Sequence, residues 1–384
     1  MLKRNLLLVL VTVITFTGGF FSGRIFEQAQ LKGYENIKMT KAPESSKKPD
    51  LKQKPIAESE QPKVLMGYVQ DFRDPNIVHY DELTHVIFSF GHPTKDGNLL
   101  FNGDNALKNL RMMVTKAHKH NTKVILAVGG WSHILGGESY PYFKAAMTNP
   151  TSRTKLVNKL VSISDRENLD GIDIDFEHPR SNNDAKNLAI FMKELSEKLH
   201  KNKKELSIAV NAKVHSVAGT EINNVVFIPS MFKYVDHVNI MAYDGQWDGE
   251  YNAANLSPLP YVKNIVNYWS TLFESQNISK EKLVLGVPFY AQPEDPSIKQ
   301  VSYATIVKRN PDNAGHDKVR LNGTTYYYNG EVTVQKKTKL ALEHGFGGMM
   351  LWEAGHDTIG THSLTTAIAE TLNDANLYAS KDAK

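Results

Sequence analysis

The chain has 384 residues, of which 41% are hydrophobic and 22% charged, as in an ordinary globular protein, and it contains no cysteine. The absence of cysteine excludes disulfides, thiolate catalysis and cysteine-ligated zinc. The net charge of +4 lies entirely in residues 1–62, which hold ten Lys and Arg against six Asp and Glu. The remainder is electrically balanced, so no nucleic-acid partner is expected.

The N-terminus resembles an export signal. Lys3 and Arg4 precede an apolar run at residues 6–21, the order of a positive n-region and a hydrophobic h-region. No good small-residue cleavage site follows, and the run is slightly short for a bilayer span. Residues 1–24 are therefore predicted to be either a signal peptide or a membrane anchor. In both cases the body of the protein is expected to be extracellular, secreted or tethered to the outer face of the membrane.

Residues 25–62 are predicted to form a disordered linker. Their later part is mostly Lys, Glu, Ser, Gln and Pro, with prolines at positions 43, 49, 55 and 62 and no hydrophobic periodicity. This composition is typical of an extended spacer, which would hold the globular part away from a membrane or wall. The alternative is that this segment is a tail without a function.

The globular part, residues 63–384, alternates short apolar runs with longer amphipathic segments. Strands are predicted at residues 64–70, 83–90, 123–129, 171–177, 206–211, 237–243, 283–290 and 348–352. Helices are predicted at residues 106–120, 152–167, 183–201, 260–275, 334–344 and 364–375. Alternating strands and helices indicate a parallel sheet, and eight units over this length favour a (β/α)₈ TIM barrel. A doubly wound sheet would usually show a Gly-rich phosphate turn after its first strand, and none is present.

The fourth predicted strand carries the most unusual pattern. Hydrophobic and acidic residues alternate in it: Ile172, Ile174 and Phe176 on one parity, and Asp173, Asp175 and Glu177 on the other. Successive side chains of a strand point to opposite faces, so the acids are expected to line up inside the barrel. The alternative roles for these acids are a metal-binding site at the edge of the sheet and a solvent-exposed acidic face. Because like charges at this spacing are costly in a folded interior, catalytic use is favoured.

Other strands also end in polar, aromatic or glycine residues, as expected where a barrel places its active site. The third strand leads into Gly130 and Trp131, and the sixth into Met241, Tyr243 and Asp244. Trp352 ends the eighth strand. Each has a structural explanation on its own, such as a tight turn or a core filler, but together they indicate one site.

The stretch DGIDIDFE at residues 170–177 matches the DGxDxDxE signature of glycoside hydrolase family 18, the chitinases and their relatives. AVGG at residues 127–130 and MAYD at residues 241–244 resemble two further elements of that family. The resemblance covers about residue 64 to the C-terminus and implies the same barrel. The segment at about residues 292–333 looks too short for the sizeable α+β insertion that many relatives carry.

The resemblance implies that Glu177 is the general acid and base of a retaining, substrate-assisted reaction on β-1,4-linked N-acetylglucosamine, chitin first. Asp175 would stabilise the acetamido group, Asp173 would tune Asp175, and Tyr243 would position the acetamido carbonyl. The expected substrate-binding residues are Trp352 as a floor, Tyr68, Phe90 and Met241 as walls, Asp244 as a polar contact, and Trp131 with Gly130 beyond the cleavage point.

Two alternatives to a chitinase remain. One is an endo-β-N-acetylglucosaminidase acting on glycans or peptidoglycan, and the other is a sugar-binding lectin that has lost catalysis. The sequence shows no cofactor motif and no metal motif, and its fourteen histidines are predicted to be scattered on the surface and in loops. A monomer is expected.

Overall fold

The computed structural model describes residues 62–177, 179–212 and 226–382, with side chains up to residue 374. The predicted leader at residues 1–24 and all but the last residue of the predicted linker lie outside the described residues, so both stay predictions. In the part of the chain that is described, no helix combines the length and the apolar character needed to cross a bilayer.

The described strands and helices alternate through most of the chain. The strands are β1 Val64–Gln70, β2 His85–Pro93, β3 Leu99–Leu100, β4 Lys123–Gly129, β5 Gly171–Asp175, β6 Glu205–Asn211, β7 His237–Met241, β8 Leu283–Pro288, β9 Tyr290–Pro293, β10 Val301–Ser302, β11 Lys318–Leu321, β12 Thr324–Tyr327 and β13 Gly348–Trp352. The α-helices are α1 Gly103–Lys119, α2 Tyr140–Thr148, α3 Pro150–Arg166, α4 Asn182–Lys201, α5 Leu259–Ser275, α6 Tyr303–Arg309, α7 Glu331–Glu343 and α8 Leu364–Asp382. Each of the eight predicted strands and six predicted helices has a counterpart among them.

Eight of the strands close into a parallel barrel, in the order β1, β13, β8, β7, β6, β5, β4, β2 and back to β1. Every neighbouring pair in this ring is parallel. Closure leaves no unpaired sheet edge, and all carboxyl ends of the strands meet at one end. The predicted (β/α)₈ TIM barrel is confirmed.

Strand periodicity separates two hydrophobic layers. On β5, Ile172 and Ile174 are fully buried in the large cluster that the barrel forms with its surrounding helices. A smaller cluster, which includes Tyr68, Ile87 and Met350, fills the barrel interior. The neighbours of the two isoleucines, Asp173 and Asp175, are therefore turned into this interior layer, as the alternation in the sequence predicts.

Between β8 and β13 the chain forms a small second sheet. Strands β9 to β12, of two to four residues each, pair antiparallel in the order β10, β9, β12, β11, and the seven-residue helix α6 lies between β10 and β11. The expectation of no sizeable α+β insertion holds, although this segment has regular structure that its length alone does not indicate.

The prediction that the histidines are scattered on the surface and in loops is wrong for His85 and His92, which lie in strand β2 and are 3% and 6% exposed. His133 is 4% exposed but lies in a loop, as predicted. Two of these rings are buried with polar partners: His133 Nε2 lies 3.1 Å from the carbonyl oxygen of Pro93, and His85 Nε2 lies 3.0 Å from Glu205 Oε2. Long-range partners of this kind leave no spacing signal in a sequence.

Candidate active site

A cleft of about 890 Å³ opens at the carboxyl ends of the barrel strands. Nine of the eleven predicted site residues line it: Glu177, Asp175, Tyr243, Asp244, Met241, Trp352, Tyr68, Phe90 and Trp131. Gly130 lines a smaller neighbouring pocket together with Trp131, Asp175 and Glu177. Asp173 is fully buried in the barrel interior and does not line the cleft. The sequence therefore selected residues that the fold brings together.

Asp173, Asp175 and Glu177 form a row of acids, and Asp173 is the member buried deepest in the barrel. Three side chains from other strands donate hydrogen bonds to it. Its Oδ2 accepts a hydrogen bond of 2.8 Å from the Tyr68 hydroxyl. Its Oδ1 accepts hydrogen bonds from Ser207 Oγ at 2.5 Å and from Asn239 Nδ2 at 3.3 Å. Burial raises the pKa of Asp173 to about 6, although these hydrogen bonds act to lower it.

The buried Asp173 makes the stability of the barrel depend on pH. Because its pKa is raised on folding, its contribution to stability is fully present below the pKa of the unfolded state and is lost as pH rises through about 6. From pH 4.5 to 7.5 this contribution should lower the free energy of unfolding by about 2 kcal/mol. Urea unfolding at both pH values should show that decrease in the wild type and a smaller one in Asp173→Asn. Equal decreases in the two proteins would contradict the assignment.

Asp175 ends β5 and is 4% exposed, directly below Glu177 in the acid row. Burial raises the pKa of Asp175 well above its ordinary value, and the nearby charges of Glu177 and Asp173 raise it further. Its Oδ1 is buried without a hydrogen-bond partner among the described residues. Glu177 is partly exposed and lies two residues beyond the end of the strand. The three carboxyl groups therefore run from the barrel interior up to the cleft, as predicted.

Aromatic rings form one wall of the cleft. Trp352, at the end of β13, lies 5.5 Å from the Tyr68 ring and 5.8 Å from the Phe90 ring, measured between ring centroids. Gly130 adjoins this group, and a Cβ atom there would lie 2.9 Å from the Phe90 ring. The φ angle of Gly130 is +76°, a conformation that also favours glycine. Any side chain at position 130 would therefore disturb the wall.

The end of β7 supplies the opposite, more polar side. Tyr243 is 5% exposed, and the one hydrogen-bond acceptor of its hydroxyl among the described residues is Met350 Sδ, at 3.8 Å. A thioether is a weak acceptor, so the Tyr243 hydroxyl can still bind a ligand. Asp244 has a left-handed backbone and accepts a 2.5 Å hydrogen bond from the Tyr290 hydroxyl. Met241, the last residue of β7, is partly buried and completes the lining.

Sequence reasoning missed several residues of the site. Trp247, Asn211 and His92 line the cleft, and Trp247 is 58% exposed. Two of them had a detectable signal, since Asn211 ends a predicted strand and Trp247 follows Asp244 by three residues. His92 lies beyond the predicted end of its strand. Burial and the neighbouring His133 lower its pKa to about 4, so it is neutral near pH 7.

No group of three metal-ligating side chains lies in the cleft within the described ranges. The one such group found there consists of His85, Glu205 and His237, which are the first residues of β2, β6 and β7. It therefore lies at the amino ends of the strands, at the opposite end of the barrel from the cleft. The cleft itself offers carboxyl, hydroxyl and aromatic groups.

Known proteins resemble this chain in sequence and in fold. The family model "Glycosyl hydrolases family 18" matches residues 64–357. "Endochitinase 1" of Metarhizium anisopliae is 24% identical over 340 residues, which is 74% of this chain and 77% of that protein. The "chitinase-like effector" of Moniliophthora perniciosa is 29% identical over 245 residues, which is 58% of this chain and about half, 53%, of that protein.

The same likeness appears among solved structures. The GH18 chitinase ChiB from the chitin utilization locus of Flavobacterium johnsoniae superposes with a TM-score of 0.67 at 26% identity, covering 82% of this chain and 94% of that one. The resemblance found in the sequence motifs is thereby confirmed. Because the family match spans most of the chain and includes the acid row, this protein belongs to glycoside hydrolase family 18.

Proposed function

We propose that this protein hydrolyses β-1,4 linkages of N-acetylglucosamine polymers, with chitin as the first candidate substrate. The proposed reaction retains the anomeric configuration and uses the substrate's own acetamido group as nucleophile. The protein would act as a monomer outside the cytoplasm, secreted or held at the membrane through residues 6–21. Named chitinases among its relatives support the substrate class.

One observation carries this proposal: two polar groups beside Glu177 are matched to an acetamido group. Asp175 Oδ1 has no hydrogen-bond partner, and the Tyr243 hydroxyl has only a thioether partner, among the described residues. An amide offers one N–H donor and one carbonyl acceptor. The N–H would be bound by Asp175, and the carbonyl by the Tyr243 hydroxyl. Both groups line the same cleft as Glu177.

In the first step, the protonated carboxyl of Glu177 gives its proton to the glycosidic oxygen while the bond from that oxygen to the anomeric carbon breaks. The acetamido carbonyl oxygen forms a new bond to the same carbon, which yields an oxazolinium ion. The ion is positively charged, and the Asp175 carboxylate beside its N–H stabilises that charge. Tyr243 holds the acetamido oxygen below the anomeric carbon.

In the second step, water attacks the anomeric carbon from the face that the leaving sugar vacated. Glu177, now a carboxylate, removes the proton of that water, and the bond to the acetamido oxygen breaks. Two displacements at one carbon restore the original configuration, and Glu177 returns to its protonated form. The two steps together consume the substrate and one water molecule, and no other reactant is required.

The other binding residues have supporting roles. Trp352 forms the apolar floor beneath the reacting sugar, with Tyr68, Phe90 and Met241 beside it. Asp244 offers a carboxylate to a sugar hydroxyl. Asp173 stays below the cleft and acts on Asp175 through its charge.

Two other functions deserve testing. An endo-β-N-acetylglucosaminidase acting on glycans or peptidoglycan would use the same acetamido chemistry. A non-catalytic sugar-binding protein is the second alternative, because two relatives carry the name "chitinase-like effector". The presence of Glu177, Asp175 and Tyr243 favours an enzyme over a lectin.

Product analysis separates these functions. The purified protein would be incubated in parallel with chitin oligomers, an N-glycan and peptidoglycan fragments, and the products followed by mass spectrometry. We expect cleavage of chitin oligomers with the β-anomer formed first. Cleavage of the N-glycan or peptidoglycan alone would select the endo-acting alternative, and binding without cleavage of any substrate would select the lectin.

Trp131 should strengthen the binding of long substrates. It lines the cleft, and 54% of its surface is exposed. Since a stacked aromatic contact contributes about 0.5–1.5 kcal/mol, Trp131→Ala should raise KM for a chitin hexamer roughly 2- to 12-fold. Phe72→Ala is the matched control, because Phe72 is 62% exposed and does not line the cleft. An unchanged KM, or equal changes in the two variants, would remove Trp131 from the binding site.

A further inference from the structure

The amino-terminal end of the barrel holds a second cluster of polar side chains that the hydrolysis proposed above does not use. His85, Glu205 and His237 each begin a barrel strand. Each lies two residues before an interior residue of its strand, respectively Ile87, Ser207 and Asn239. The period of two therefore places all three side chains inside the barrel at its lower end.

The three side chains are close enough to share one ion. One ligand atom from each lies within 4.8 Å of the others. Glu205 Oε2 is 3.0 Å from His85 Nε2 and 3.9 Å from His237 Nε2. Zinc bonds of about 2.0–2.1 Å in a tetrahedral arrangement separate neighbouring ligand atoms by about 3.3 Å. The two distances from Glu205 Oε2 lie on either side of that value, and the two histidine nitrogens lie within 4.8 Å of each other.

The surroundings of His85 suit a metal ligand. Its Nδ1 lies 2.7 Å from Thr84 Oγ1, and that hydroxyl can donate its own hydrogen to the Leu65 carbonyl oxygen at 3.0 Å. Nδ1 can thus carry the hydrogen and donate it to Thr84, which leaves the lone pair of Nε2 directed at Glu205. A metal-bound histidine typically donates its other ring hydrogen in this way, which fixes the ring orientation.

A hydrogen bond between His85 and Glu205 alone would also satisfy this ring, but it leaves His237 Nε2, which lies 3.9 Å from Glu205 Oε2, without a bond to that carboxylate. The Glu205 carboxylate also pairs with Lys123 through its other oxygen, Oε1, so Oε2 remains free to face the two rings. His237 and Glu205 are 16% and 22% exposed at the side chain, which gives an ion a route from solvent.

We propose that His85 Nε2, Glu205 Oε2 and His237 Nε2 bind one Zn²⁺ ion, with water as the fourth ligand. Two imidazoles and one carboxylate are a ligand set suited to zinc and related transition metals, whereas Ca²⁺ and Mg²⁺ prefer oxygen ligands throughout. The ion would tie β2, β6 and β7 together at the end of the barrel away from the cleft. Its role is therefore structural, and it raises the thermal stability of the barrel.

Metal titration of the EDTA-treated full chain tests this site. Calorimetry with ZnCl₂ should give one ion per chain, and the Tm should rise with zinc concentration. CoCl₂ should produce the visible absorption of tetrahedral cobalt, and ZnCl₂ should displace it. His85→Gln and His237→Gln should each lower the affinity at least 10-fold. Titration with CaCl₂ should give no comparable heat of binding.

His118→Gln is the matched control, since His118 Nε2 lies 2.8 Å from Asp170 Oδ2 in a histidine–carboxylate pair that no third ligand joins within the described residues. This variant should bind zinc as the wild type does. If His85→Gln or His237→Gln fails to fold, cobalt-shifted imidazole NMR signals of the wild type provide the readout, with two histidines expected to shift. No saturable binding by the wild type, or equal binding by all variants, would overturn the proposal.

Discussion

Glu177→Gln is expected to lower kcat/KM for a chitin oligomer by about 10³-fold while leaving the fold and oligomer binding intact. The amide has nearly the shape of the carboxyl group but can neither donate a proton to the glycosidic oxygen nor accept one from water. Both proposed steps lose their proton transfer. The residue lines the cleft and is partly exposed, so the substitution removes no core packing.

The rate would be measured beside the dissociation constant for a chitin tetramer, obtained by calorimetry. Glu194→Gln serves as the control, because Glu194 pairs with Arg153 and does not line the cleft. The control should keep full activity. If Glu177→Gln turned over substrate at the wild-type rate, Glu177 would not be the acid; if it lost binding as well as turnover, its role would be in binding.

Asp175→Asn is the substitution with the second-largest expected effect, a decrease in kcat of about 10²-fold. The neutral amide can still contact the acetamido N–H, but it cannot stabilise the positive charge of the oxazolinium ion. Since that charge forms only as the glycosidic bond breaks, kcat should fall much more than the affinity for the oligomer.

The same variant should change the pH profile of kcat/KM. The charges of Asp175 and Glu177 interact, so the pair titrates as one coupled set in the wild type. Without the neighbouring negative charge, Glu177 loses its proton more easily, and the alkaline limb should move to lower pH. Tyr68→Phe is the comparison, because it removes a hydrogen bond to Asp173 and leaves Asp175 charged. An alkaline limb at the wild-type pH in Asp175→Asn would contradict the coupling.

The barrel could be predicted because side chains alternate between the two faces of a strand, a period of two residues that is visible in the sequence. Ile172 and Ile174 alternate with Asp173 and Asp175, and the structure buries the two sets in different layers. Three of the eight predicted barrel strands, at residues 64–70, 123–129 and 348–352, have the observed bounds. The fold itself could be predicted from the number of strands and their separation by helices alone. The acid row followed from the same alternation, because a period of two fixes which side chains share a face.

What the sequence did not reveal depends on contacts between distant residues. Ser207 and Asn239 support Asp173 from the two strands that follow β5 around the barrel, and neither has an unusual neighbour in the sequence. His85 and Glu205 are 120 positions apart and meet only because the barrel closes. The small sheet of β9 to β12 was missed for a different reason, since strands of two to four residues are too short to show periodicity.

The central claim is that the acetamido oxygen of the substrate attacks while Glu177 donates the proton. The most direct measurement is kcat/KM for a series of aryl chitobiosides in which hydrogens of the reacting acetyl methyl group are replaced one by one with fluorine. Fluorine withdraws electrons from the carbonyl oxygen and changes its size little. We predict a steep fall in kcat/KM with each added fluorine. A rate that stays constant across the series would show that the acetamido oxygen is not the nucleophile.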